Sequence, residues 1–283
     1  MGLEKKKATI SDIAAAAGVS KATVSRYING KSDLMMDKTK ERIRTVIELL
    51  DYHPNNAARS LKTKKNYQVG VMLSNIETPF AASLIVGIGS GLRQRGYEPL
   101  FVDCHDSIEE EGKALASFLD RTVDGLIVST IFMENPALIK ASCDGCPIVL
   151  CDRFVNNYAF NVVSAEQEES MYRLLLHLKE QGYTRPALFT LPWAGNSNRQ
   201  RRLEAFRQAI AALYPDRARE DVYLFEAGGG AEDQLERFLS QLPPGEKPAV
   251  VGINSEATVL VYRAILRCSL RIPEDVGLCG SED

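Results

Sequence analysis

The sequence is poor in the residues that build metal centres and membrane anchors. It holds three histidines, and they are scattered. One CxxC pair exists, Cys143-Asp144-Gly145-Cys146, with no second pair to complete the about four ligands of a closed zinc site. The six cysteines, at 104, 143, 146, 151, 268 and 279, therefore read as free. Most lie in apolar surroundings such as Ile148-Val149-Leu150-Cys151, where a thiol behaves as a small hydrophobe. No apolar run reaches the ~18 residues that span a bilayer. Met1–Lys7 has no apolar core behind it, which excludes a secretory signal, and Gly2 lacks the downstream serine or threonine of myristoylation. A cytoplasmic location is expected. Phosphate loops are missing too: Gly89-Ser90-Gly91 falls inside an expected helix, and Gly228-Gly229-Gly230 is not followed by Lys-Ser/Thr. No nucleophile elbow, zinc-protease motif or kinase signature occurs. The expectation is a protein that is not an enzyme and uses no metal or cofactor.

What is present is an ordinary soluble composition over 283 residues, enough for two domains and a sizeable core. The net charge of −3 conceals a split. Residues 1–65 carry 14 Lys/Arg against 7 Asp/Glu, a net of +7; the rest carries 20 against 30, a net of −10. A basic head suits a polyanion, and an acidic body suits something else.

The head reads as three short helices. Ser11 to Ala17 can cap and form the first, with Asp12 where negative charge suits the helix dipole. Gly18 sits at the turn, where a left-handed backbone costs glycine little. Ser20 can cap a second helix, Lys21–Asn29, which buries Val24 and Ile28. A third, Lys38–Leu50, turns Ile43, Val46, Ile47 and Leu50 inward. Amphipathicity alone leaves a helical bundle without nucleic acid equally open.

The residue pattern separates the two readings. Thr9-Ile10-x-Asp12-Ile13-Ala14-x-x-Ala17-Gly18-Val19-Ser20-x-x-Thr23-Val24-Ser25-Arg26-x-x-Asn29 resembles the head of the LacI/GalR family of bacterial transcription regulators, as does Tyr52-x-Pro54-Asn55-x-x-Ala58-Arg59-Ser60-Leu61. The resemblance implies a helix-turn-helix domain over 1–54, a hinge helix and linker over 55–66, and an effector-binding and dimerisation core over 67–283. It implies that Lys21, Ala22 and Arg26 face base edges, where arginine can bridge guanine O6 and N7. Ser20, Thr23, Ser25 and Asn29 then hold phosphates or fix register, and Thr9 counts among the DNA-binding residues. Asn55 and Ala58 belong to the hinge. Leu61 is its wedge, intercalating at the centre of a palindromic operator and kinking it.

Beyond the charged connector Lys62–Asn66, apolar strands alternate with amphipathic helices. Strands are expected at Val69–Ser74, Glu98–Asp103, Gly125–Ser129, Ile148–Cys151, Val162–Ser164, Ala187–Thr190, Tyr223–Phe225, Ala249–Ile253 and Val276–Cys279. Helices are expected at Pro79–Arg95, Ser107–Arg121, Gln167–Gln181, Ser197–Ala212, Ala231–Gln241 and Glu256–Arg267. Such βα alternation argues for doubly wound parallel sheets, which bind ligands at the carboxyl ends of their strands. The family's body is a pair of such subdomains, similar to periplasmic binding proteins, that clamp a small effector. By that resemblance the effector residues are Phe80, Asp152, Arg153, Trp193, Arg202, Asn254 and Glu282. Ala165-Glu166-Gln167 departs from the Asp-Asn found there in the family, and Ala205 replaces the glycine near Arg202.

A carboxylate, an arginine and aromatic walls suit a sugar or sugar acid, with a purine as the lesser fit. The family continues beyond its Gly-Phe/Tyr-Asp-Asp, whereas this sequence ends at Gly280-Ser281-Glu282-Asp283. The second subdomain is therefore expected to be incomplete, with an edge exposed. The reading is a homodimeric regulator on a pseudo-palindromic operator, a repressor of carbohydrate or sugar-acid metabolism. A sugar receptor without a DNA role and a sugar-modifying enzyme are the other classes. The basic head opposes the first, and the missing catalytic constellation opposes the second.

Overall fold

The computed structural model describes residues 8–28, 30–52, 65–215 and 221–281. Asn29, Asn55, Ala58, Leu61 and Glu282 lie outside the described residues. The chain divides into two compact units, 1–66 and 67–283.

The first unit holds α1 (Ile10–Ala16), α2 (Lys21–Ile28) and α3 (Asp37–Leu49). Helix α1 starts one residue earlier than expected, and its cap is Thr9 rather than Ser11. The reason is a reciprocal pair: Thr9 Oγ1 accepts from Asp12 N while the Asp12 carboxylate accepts from Thr9 N at 2.8 Å. Two orphan backbone donors are satisfied at once, which Ser11, one turn position inside, cannot do. Gly18 closes the helix at φ +59°, a conformation that favours glycine. Ser20 Oγ then accepts from Thr23 N at 3.1 Å and opens α2. Ile13, Val24 and Ile43 are fully buried, with Ala14, Ala17 and Val46 beside them and Ile47 partly buried. Leu50 is a correction: it follows the last turn of α3 and is 37% exposed, outside this core.

The second unit contains two parallel sheets. The first runs in the order β2 (Glu98–Asp103), β1 (Gln68–Leu73), β3 (Gly125–Val128), β4 (Ile148–Cys151), β5 (Asn161–Val163). The second runs β7 (Val222–Leu224), β6 (Arg185–Thr190), β8 (Pro248–Gly252), β9 (Gly277–Gly280). Parallel neighbours require crossovers, and helices supply them: α4 (Pro79–Gln94), α5 (Ile108–Asp120) and α6 (Pro136–Cys143) in the first lobe, and α7 (Gln167–Glu180), α8 (Ser197–Leu213), α9 (Ala231–Ser240) and α10 (Ser255–Arg267) in the second. Helix α6 was absent from the sequence expectations. Each lobe has its own core, Met72, Phe118, Leu126 and Leu150 in the first and Phe189, Phe206, Phe238 and Val250 in the second. No described helix is long and apolar enough to cross a membrane.

Candidate functional site

In the head, α2 sorts its residues by face. Val24 is buried, Thr23 and Ser25 are half-buried, and Lys21, Ala22 and Arg26 are exposed. The exposed set is the one expected to meet base edges. Thr9 and Ser20, both expected at DNA, use their hydroxyl oxygens to cap α1 and α2. Each therefore has a structural duty whatever else it touches.

In the second unit a cavity of 380 Å³ opens at the carboxyl ends of the strands of both lobes. Ser74 and Asn75 follow β1, Ser129 and Ile131 follow β3, and Asp152 and Arg153 follow β4. The second lobe adds Pro192 and Ala194 after β6, Asn198, Arg199 and Arg202 on α8, and Asn254 after β8. Parallel sheets place their loops this way because every strand points its carboxyl end to one side.

The structure thus brings Phe80, Asp152, Arg153, Arg202 and Asn254 to one cavity. Trp193 does not line this cavity. It is half-buried and packs against the second-lobe core, while its neighbours Pro192 and Ala194 line the cavity. Trp193 follows β6, and its indole has apolar company behind the loop.

Several residues carry a second load. Arg202 is 5% exposed; its Nε donates to Gln167 Oε1 at 2.9 Å and a terminal nitrogen to the Ile253 carbonyl at 3.0 Å. The unusual Ala165-Glu166-Gln167 segment so supplies the arginine's acceptor. Asn254 caps α10, its Oδ1 accepting from Ala257 N at 3.0 Å. Asp152 sits at φ +68°, in the left-handed region that aspartate tolerates better than most side chains. Its carboxylate accepts from Asn198 Nδ2 at 2.6 Å, from the opposite lobe.

Two further contacts join the lobes at the start of α8: Phe154 N donates to Ser197 Oγ at 3.1 Å, and Met133 N to the Gly195 carbonyl at 3.3 Å. Gly195 adopts φ +75°, and a Cβ there would lie 2.9 Å from the Phe132 ring. Glycine lets the lobes meet.

Under the first-lobe wall lies a carboxylate that the sequence reading missed. Glu111 of α5 is 5% exposed and accepts from Ile131 N at 2.7 Å, Thr130 Oγ1 at 3.0 Å and Asn135 Nδ2. Burial pushes its pKa above the usual carboxylate range, against those three donors and nearby Arg153. Arg153 donates to the Thr130 carbonyl at 3.2 Å, so the loop that Glu111 holds also positions this arginine. No cluster fit for a metal ion occurs among the described residues.

A three-helix head whose second helix keeps one face exposed, followed by two parallel α/β lobes around a polar cleft, defines a class: a helix-turn-helix regulator built on a periplasmic-binding-protein-like body. Residues 9–55 match the model of bacterial regulatory proteins of the lacI family, and 66–281 that of periplasmic binding proteins and the sugar binding domain of the LacI family. The chain is 33% identical to the HTH-type transcriptional regulator PtxS of Pseudomonas putida, over 99% of this chain and 80% of that protein. It is 30% identical to the HTH-type transcriptional regulator KdgR of Bacillus subtilis, over 97% and 81%. The lac repressor dimer bound to operator and an anti-inducer shares the fold, with a TM-score of 0.76 at 23% identity, covering 97% of this chain and 82% of that one. The chain belongs to the LacI family of bacterial regulatory proteins, and it is a DNA-binding transcriptional regulator.

Proposed function

We propose that the protein is a cytoplasmic repressor that binds a pseudo-palindromic operator as a homodimer and answers to a sugar or sugar acid held between its lobes. The observation that carries the effector reading is the 380 Å³ cavity, which collects Asp152, Arg202 and Asn254 with Phe80 at the strand ends of both lobes. That volume lies near the small end of ligand clefts, roughly 300–1,000 Å³, and suits one sugar ring. The exposed Lys21, Ala22 and Arg26 of α2 support major-groove reading. In this reading residues 1–54 form the DNA-binding domain, Asn55, Ala58 and Leu61 belong to a hinge over 55–66, and Asn29 and Thr9 help set the head on the backbone.

An apolar stripe on the exposed face of α10, Val259, Tyr262 and Leu266, supports self-association. An effector that binds one arrangement of the lobes more tightly than another would bias the operator-binding state, the only thermodynamic route by which it can act. Selection of operator sequences by the full chain tests the DNA reading. Arg26→Ala should weaken specific binding by ~1–3 kcal/mol and relax discrimination at one base pair. Unchanged preference at every position would remove Arg26 from the base-reading set.

A further inference from the structure

The cleft contains a second arginine on the helix that carries Arg202. Arg199 lies on α8, one turn before Arg202, and lines the cavity. Its side chain is 22% exposed. One terminal nitrogen donates to the Pro192 carbonyl at 2.8 Å, which fixes the arm. The carboxylate near it, Glu256, is 3.7 Å away and 45% exposed, beyond hydrogen-bond length and open to water. Burial holds the guanidinium's pKa below its ordinary value; Arg153 and Arg202 push the same way, and Glu256 and Asp106 oppose them. Arg199 is therefore a partly dehydrated cation in the cleft wall, countered by one half-exposed carboxylate at 3.7 Å.

Arg153, from the opposite lobe, lines the same cavity and spends one nitrogen on the Thr130 carbonyl. The other lining carboxylates have partners already: Asp106 accepts from Asn75 Nδ2 at 3.0 Å, and Asp152 from Asn198 Nδ2. A second observation points independently to a ligand. Asn198 is 6% exposed and lines the cavity, and its Oδ1 has no partner among the described residues. A buried acceptor of that kind calls for a hydrogen-bond donor, which a hydroxyl can supply.

We propose that Arg199 and Arg153 form an anion-binding pair, one from each lobe, and that the effector is a polyhydroxy acid. Its anionic group sits between the two guanidiniums, and a hydroxyl donates to Asn198 Oδ1. This rests on the cleft being the effector site, and it adds the charge of the ligand and a reason for closure. Two like charges on opposing lobes repel until an anion joins them, so ligand charge itself draws the lobes together.

The test is thermal melting of the full chain with matched probes: gluconate and galactonate, glucuronate and glucose 6-phosphate, each against glucose or galactose. At least one acid should raise the melting temperature with half-saturation at least ten-fold below that of its neutral partner. Arg199→Gln should weaken that acid ten-fold or more, and Arg199→Lys should recover part of the loss. Neutral sugars acting as well as the acids, or an Arg199→Gln protein that answers the acid unchanged, overturns the anion pair. So does a panel in which no acid acts. The wild-type comparison of acid with neutral sugar stands even where a variant folds poorly. Binding of neutral sugars alone would sink this proposal and leave the cleft as effector site, whereas silence of every probe would remove both.

Discussion

Arg202 does two jobs whose consequences can be separated. Its guanidinium ties α8 to Gln167 at the start of α7 and to the carbonyl of Ile253 after β8. Arg202→Ala leaves these acceptors buried, and an unsatisfied buried group costs about 1–3 kcal/mol. The variant should therefore lose stability in urea as well as its response to effector. A variant that loses the response at full stability would mean that the guanidinium serves the ligand alone. Glu111 gives the second residue-scale expectation. Its folded-state pKa is raised by burial, so the folded protein binds this proton more tightly than the unfolded chain. Its contribution is fully present below the ordinary glutamate range and is lost as pH rises through the raised folded value. Glu111→Gln should flatten that part of the stability curve. It should also lower stability throughout, because an amide nitrogen would face the donors Ile131 N, Thr130 Oγ1 and Asn135 Nδ2. Melting temperature against pH for both proteins measures this, and identical slopes would exclude Glu111 as the titrating group.

At the scale of elements, much was legible because local rules and burial agree. The period of α2 alone separates Val24 from Lys21, Ala22 and Arg26. The strand ends that meet the cleft follow from βα alternation. Arg199 and Asn198 were legible in principle, since three and four residues before Arg202 lie on its helical face. Other features were not. Glu109, Glu110 and Glu111 look alike in sequence, and only packing buries the last of them. Helix α6 is eight residues long, too short for a clear period, and it is opened by Asn135 Oδ1 accepting from Leu138 N. Trp193 occupies a strand-end loop, where local pattern gives a side chain no direction. The hinge proposed over 55–66 makes its own prediction. Leu61→Ala should reduce operator bending in a circular-permutation gel and spare non-specific binding, because the wedge opens a base step whereas charge alone drives non-specific contact. An unaltered bend would falsify the wedge.

At the scale of the whole molecule, the charge split and the apolar stripe on α10 point to one requirement. A single head with a net of +7 over residues 1–65 binds polyanions, but one recognition helix reads only a few base pairs. Joining two heads turns the second half-site contact into an intramolecular event, which raises operator affinity by about 10²–10⁴ without a new contact. Val259, Tyr262 and Leu266, each between 45% and 53% exposed, form one apolar face on α10 that gains from burial against a second copy. Leu266→Asp places a charge in that face, where the proposed dimer would have to dehydrate it without a partner. The variant should sediment as a monomer and bind a palindromic operator scarcely more tightly than one half-site, while its circular dichroism stays that of the parent. Because Leu266 faces away from the second-lobe core, the change acts on assembly rather than on folding. A Leu266→Asp protein that remains dimeric and keeps full operator affinity would move the interface to another face.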